Sequence, residues 1–245
     1  MKYNTIIYEK NNHTGIIRLN RPERMNAVSE EMYSELTGLL DSLESDNDLR
    51  ILVLTGSVRV KDGVEKQAFC AGADLKKHGS GERDSTQKKE YIYMAHRANL
   101  KLYTFHKPVI AAVNGAARGA GAEMALNCDF IYMADNATIG FPEVGLGTFV
   151  GGGVTKILPE LLGIKKAREL IYTGKVLTGI EAVEYGLASA SYPVNELLSR
   201  SLEFADLIAS LAPVSVSMAK DNLRLSHDRN IETVLEMEAQ AILAC

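Results

Sequence analysis

The chain has 245 residues, 46% of them hydrophobic and 24% charged, with a formal net charge of −4, which suits one domain with a sizeable core plus a small appendage. That balance gives no basic field for a phosphate backbone, so a nucleic-acid partner has no support. No apolar run reaches the ~18 residues of a membrane span, residues 1–10 contain no secretory apolar region, and Cys70, Cys128 and Cys245 lack metal-type spacing. The expectation is a cytoplasmic protein with reduced thiols and without metal or membrane partner.

Short apolar runs at residues 14–19 and 51–55 read as strands. Between them, residues 29–43 read as a helix: Ser29 suits its start, and Leu36, Leu39, Leu40 and Leu43 recur at helical spacing. Alternation of this kind predicts βαβ units and a layered sheet. Residues 59–67 and 77–90 are polar and charged and are expected to be exposed loops bordering a pocket. Runs at 109–113 and 130–134 repeat the strand signal on either side of a predicted helix that carries Glu123. From Pro159 onward the pattern turns helical, with segments at 161–173, 179–185, 196–211 and 214–225. With no internal repeat or linker, the chain divides softly into a core of residues 1–158 and a helical region of residues 159–245.

Three turns built of small residues carry the chemistry. Residues 113–129, VNGAARGAGAEMALNCD, run from a strand through glycine and alanine into the predicted helix, which leaves backbone N–H groups open to a ligand and holds Glu123 close by. Residues 139–147, IGFPEVGLG, place Glu143 directly after Pro142, whose ring limits the freedom of the turn. Residues 68–76, AFCAGADLK, form the third. Should the amides of Ala73 and Ala120 converge, they make a two-donor oxyanion hole. Taken singly, such turns equally serve close strand-to-helix packing, and Glu123 alone would suit a helix's first turn. For Glu143, neighbouring Val144 and Leu146 predict burial and a raised pKa, the property of a proton donor, beside a more solvated Glu123 that stays ionised as base. The five histidines show no ligand spacing, and no Gly-x-Ser-x-Gly elbow supplies a serine nucleophile. Gly119 and Gly121 are half a dinucleotide fingerprint, with Met124 in place of its third glycine.

Over nearly its whole length the chain resembles the enoyl-CoA hydratase/isomerase superfamily, also called the crotonase family. The segments that carry the resemblance are 19–27 (LNRPERMNA), 68–76, 107–115 (KPVIAAVNG), 119–129, 137–147 and 170–174 (LIYTG), in the family's order. The resemblance implies an α/β fold, a crotonase-like ββα spiral core with a helical C-terminal trimerisation region, and assembly into homotrimers or hexamers. It implies an acyl-CoA thioester substrate, no separate cofactor, and a carbonyl held by the amides of Ala73 and Ala120. Arg24, Ala27, Ala71, Asp74, Leu75 and Lys76 stand where family members wrap the CoA. Glu123 and Glu143 match the two acids of its hydratases: Glu123 helps water attack the β-carbon and Glu143 delivers a proton to the α-carbon. The sequence departs from the family in a longer 59–67 loop, in Phe149 and Val150 where a proline-containing turn is expected, and in stopping at Cys245, one helix early. Double-bond isomerases and hydrolytic or decarboxylating branches are the alternatives within the family; a non-catalytic acyl-CoA binder is the alternative outside it.

Overall fold

Three times in succession the chain lays a strand in a large sheet, passes to a strand in a small one, and returns through helical structure. The computed structural model describes residues 3–74 and 84–245. Strands β1 (Ile6–Asn11) and β2 (Thr14–Leu19) form an antiparallel hairpin, and helix α1 (Glu30–Glu44) leads to β3 (Ile51–Gly56), which pairs parallel with β2. The Ser29 hydroxyl accepts the Met32 N–H at 3.2 Å and so caps α1. The buried face of that helix includes Leu36, Leu39, Leu40 and Leu43, at the spacing the sequence predicts.

After β3 the predicted 59–67 loop is instead an exposed hairpin, β4 (Arg59–Lys61) and β5 (Val64–Lys66), turning at Asp62 and Gly63, both with positive φ. Asp-Gly is the favoured pair for such a turn. Strand β6 (Ala68–Cys70) then opens the small sheet. Helix α2 (Ser85–Thr104) begins inside the 77–90 stretch expected as loop: Asp84 accepts from Gln87 N–H at 2.9 Å while its own N–H donates to the Gln87 side chain at 3.1 Å. That reciprocal pair satisfies two end groups that a loop would have left to water.

The next turn is β7 (Val109–Val113), β8 (Ala116–Arg118) and α3 (Ala120–Leu126), and the third runs from β9 (Phe130–Ala134) to β10 (Thr138–Gly140) and then through a 3-10 turn at Glu143–Leu146 to α4 (Val154–Leu162). The expected single helix at 161–173 is two helices, because Gly163, at φ +77°, breaks the run between α4 and α5 (Ile164–Thr173). Strand β11 (Val176–Thr178), helix α6 (Gly179–Tyr185) and strand β12 (Ala190–Tyr192) complete the layers. The large sheet has the order β1-β2-β3-β7-β9-β12 and the small one β11-β10-β8-β6. Within both, the strands of successive turns pair parallel. Every residue of β3 and β7 is buried, as parallel strands covered on both faces require. Helix α7 (Val194–Ala209) covers β3, β7 and β9, and α8 (Pro213–Ser226) and α9 (Ile231–Ala244) follow. Lys220 ties α8 to the core through Asp129 Oδ2 at 2.7 Å and the Lys107 carbonyl at 3.0 Å.

One side chain fixes the segment that enters α1. Asn26 is fully buried: its amide nitrogen donates to the carbonyls of Ser57 and Ala68, each at 2.9 Å, and its oxygen accepts the Arg21 N–H at 2.9 Å. It sits at φ 55°, a left-handed conformation that asparagine tolerates better than most residues. Aspartate would keep the backbone preference but turn an acceptor toward two carbonyls, so Asn26→Asp is expected to cost about 3 kcal/mol or more in urea unfolding.

Candidate active site

Where the spiral's first and second turns meet, main chain lies directly on main chain. A β-carbon on Gly121 would stand 2.1 Å from the Cys70 carbonyl oxygen, and one on Gly72 would stand 2.8 Å from that of Arg118 and 3.9 Å from the Ala120 nitrogen. No side chain fits at either place. Gly119 adopts φ 48° and ψ −120°, which only glycine reaches without strain, and a β-carbon there would meet Glu143 Oε1 at 2.8 Å. The small residues of the three turns are thus what let residues 70–73, 118–121 and 140–143 share one place. Ala120 opens α3, where an N–H has no partner within the helix. Among the described residues no hydrogen bond is made by the amide of Ala73 or Ala120.

Both carboxylates are drawn to the same helix start. Glu123 stands in the first turn of α3 and is only 7% exposed; Glu143, at the head of the 3-10 turn, is 8% exposed. Glu123 Oε1 accepts the Gly151 N–H at 2.7 Å, whereas Glu143 Oε2 is buried with no protein partner among the described residues. Burial, and then the nearby charge of Glu143, push the pKa of Glu123 from 4.5 to about 7 against the opposing pull of the Gly151 bond. Burial also raises Glu143, against a hydrogen bond from its own backbone N–H. The expectation of a solvated, ordinary Glu123 beside a perturbed Glu143 is therefore corrected: both are perturbed, because α3 carries Glu123 inward against the core.

A second polar group supports this side. Asn127 donates to the carbonyls of Gly152 at 2.6 Å and Glu123 at 2.8 Å, and so holds the loop whose Gly151 amide meets Glu123. A β-carbon on Gly151 would sit 3.3 Å from each Glu123 carboxylate oxygen and 3.4 Å from His96 Nε2. The imidazole of α2 and the carboxylate of α3 thus both border the space beside that glycine. Neither His96 nor Gly151 is singled out by the sequence, since their relation to Glu123 arises only from folding.

Of the residues matched to CoA contacts, those in segments 24–27 and 71–74 are brought together. Val28 N–H donates to the Gly72 carbonyl at 2.9 Å and Ala71 N–H to that of Met25 at 3.1 Å, which stitches residues 25–28 to residues 71–73. Arg24 is exposed on the preceding turn, Ala27 is buried and Ala71 half-buried. The Asp74 carboxylate is engaged within the chain, by Arg21 Nη2 at 3.2 Å. Leu75 and Lys76 lie outside the described residues. Among the described residues no cluster of acidic, cysteine or histidine side chains has the form of a metal site.

The profile described as enoyl-CoA hydratase/isomerase matches residues 9–244. The chain belongs to the enoyl-CoA hydratase/isomerase family. It is 32% identical over 245 residues to the short-chain-enoyl-CoA hydratase of Clostridium acetobutylicum, covering 100% of this chain and 90% of that protein. It is 33% identical over 245 residues to the crotonyl-CoA hydratase of Syntrophomonas wolfei, covering 100% and 91%. A crystal structure of an enoyl-CoA hydratase from Bacillus anthracis superposes with a TM-score of 0.91 at 35% identity, covering 98% of this chain and 90% of that one. The family's crotonase fold is thus shared, spiral core and C-terminal helices included.

The Glu123 shift has a consequence for stability. Its proton is held more tightly in the folded chain than in the unfolded one, so its contribution is fully present below about pH 4.5 and is lost as pH rises to about 7. The difference amounts to roughly 3 kcal/mol. Urea unfolding from about pH 4.5 to about 8 is expected to show wild type losing on the order of 2 to 3 kcal/mol more than Glu123→Gln, which has no proton to release there; parallel curves would show an unperturbed carboxylate.

Proposed function

We propose that this protein hydrates the 2,3 double bond of a 2-enoyl-CoA thioester. The observation that carries this reading is the pair of buried, perturbed carboxyls beside the amides of Ala120, at a helix start, and Ala73, on the adjoining turn, neither of which makes a hydrogen bond among the described residues. In an enoyl thioester the β-carbon is electrophilic because charge can move onto the thioester oxygen. The Ala73 and Ala120 amides receive that oxygen, and each such donor is worth about 100-fold or more in rate.

Glu123 takes a proton from the attacking water as its oxygen bonds the β-carbon. A pKa near 7 makes Glu123 a stronger base than an ordinary glutamate while leaving it substantially ionised at neutral pH. Glu143, whose pKa is also raised, gives its proton to the α-carbon of the enolate. Two acids in such proximity titrate as a pair, and the state holding one proton is the one that can accept at one end and donate at the other. Adding water changes no net oxidation state, so the reaction calls for no redox cofactor, and CoA arrives with the substrate. The names of the Clostridium and Syntrophomonas relatives support a short acyl chain. Arg24, Ala27 and Ala71 border the CoA in this reading.

With crotonyl-CoA, loss of conjugated absorbance is expected for wild type. Glu123→Gln and Glu143→Gln should each lower kcat by about 100-fold or more with smaller changes in KM. Undiminished turnover in either variant overturns its role. A 3-enoyl-CoA supplied in heavy-oxygen water separates hydration from isomerisation, which incorporates no oxygen.

The reading extends to a homotrimer assembled through the helical region. Neither α8 nor α9 has a buried residue, and Leu223, Leu235 and Leu243 are 75%, 57% and 81% exposed, an apolar surface that an assembly would cover. Light scattering is expected to return three times the chain mass of 26.7 kDa, or six times if trimers pair; a monomer mass rejects the assembly.

A further inference from the structure

We propose that Arg21 is a positioning residue of the oxyanion hole, holding the Ala73 amide in place through Asp74 and Ala27. The inference rests on the assignment of Ala73 as a carbonyl-binding amide. Arg21 stands just before the 3-10 turn Pro22–Arg24, and its guanidinium reaches across two segments at once. Nη1 donates to the Ala27 carbonyl at 2.6 Å and Nη2 to Asp74 Oδ2 at 3.2 Å. The side chains of Arg21 and Asp74 are 18% and 15% exposed, which places the ion pair largely out of water, where it is screened less than a surface bridge.

The geometry is that of a clamp. Ala27 precedes Val28, whose N–H bonds the Gly72 carbonyl and which forms an isolated parallel bridge with Ala73; Asp74 follows Ala73 directly. The peptide bearing the Ala73 N–H is therefore gripped on one side by Val28 and on the other by the carboxylate that Arg21 holds. Arg21 is itself fixed: its N–H donates to Asn26, and its carbonyl accepts from the N–H groups of Arg24 and Asn26, both at 2.9 Å. A lysine does not reproduce it, because its donors converge on one nitrogen, whereas the planar guanidinium presents Nη1 to the Ala27 carbonyl and Nη2 to the Asp74 carboxylate from two separate positions. Arg21 touches no reacting atom. Its effect is to keep one donor of the hole aimed, and donors displaced by about an ångström lose much of their worth.

The test uses the full-length protein with butyryl-CoA, a saturated and unreactive thioester, isotope-labelled at its carbonyl. Infrared difference spectra of wild type are expected to show the bound carbonyl band shifted to lower frequency by the two amides. In Arg21→Lys and Arg21→Ala the shift should shrink toward the value in free solution, and kcat on crotonyl-CoA should fall about 10- to 100-fold with KM changed by less than about 3-fold. Added guanidinium should restore much of the band shift and rate in Arg21→Ala. Asp74→Asn should reproduce the loss, and the double variant Arg21→Lys with Asp74→Asn should be no worse than the poorer single one, since the two residues act as a unit. An unaltered band in the Arg21 variants, or losses that simply add, would overturn the assignment. Failure of the hydration reading is seen separately: wild type then turns over no enoyl-CoA, while the carbonyl band still reports on Arg21.

Discussion

The site depends on one contact, the main-chain packing of residues 70–72 against residues 118–121. Strands β6 and β8 pair parallel, so the chain leaves both in the same direction, and the turns that follow them are brought side by side. With the Cys70 carbonyl over Gly121 and the Arg118 carbonyl over Gly72, neither turn has space for a side chain. Main chain therefore meets main chain from two directions, as two N–H donors to one oxygen would require. The spiral also explains the company they keep. Its third turn places β10 beside β8, and the chain leaving β10 brings Glu143 against Gly119.

Burying two acids at the same helix start is unfavourable for folding, and the structure offsets it only in part. Glu123 has one hydrogen bond, from Gly151, and the positive end of a short helix; Glu143 Oε2 has no protein partner among the described residues. Compare Glu35, whose carboxylate accepts from the Thr5 hydroxyl and from the Asn4 and Thr5 N–H groups, the latter at 2.7 and 2.9 Å, and whose pKa is consequently held down even against its desolvation. The chain is thus able to satisfy a carboxylate where a charge is only structural. At the candidate site it leaves acceptors open and pKa values high, the condition for moving protons near neutrality.

How much of this was legible depended on whether a signal was local. Strands β3, β7 and β9 read correctly because strands covered on both faces become continuous apolar runs, and α1 because a serine cap precedes a leucine face. Helix α2 was hidden: among its twenty residues only Tyr91, Ala98, Asn99 and Leu102 are buried, too sparse a stripe to see against STQKKE at its start. The α4–α5 break lay in Gly163, whose positive φ stops a helix that the surrounding apolar residues invite. Glu123 and Glu143 could be named from their turns, but their relative perturbation could not, because it depends on how much protein lies behind each. Arg21 was present in the LNRPERMNA segment that carried the family resemblance, yet its partner is 53 residues away. Neither periodicity nor spacing encodes such a pairing.

The two sides of the site follow opposite electrostatic rules, and the reaction explains why. On the amide side, Arg21, Asn26 and the bond from Val28 N–H to the Gly72 carbonyl tie the turn down, while the Ala73 N–H makes no hydrogen bond among the described residues. On the acid side, charge is left under-compensated and free to redistribute. Hydration asks the amides to be fixed before charge reaches the thioester oxygen, since donors that must reorient contribute little as the barrier is crossed. It asks the acids to exchange protons within one turnover, which deep satisfaction by fixed hydrogen bonds would oppose. A clamp built on a guanidinium suits the first demand because its rigid planar fork holds two acceptors in separate segments at fixed angles.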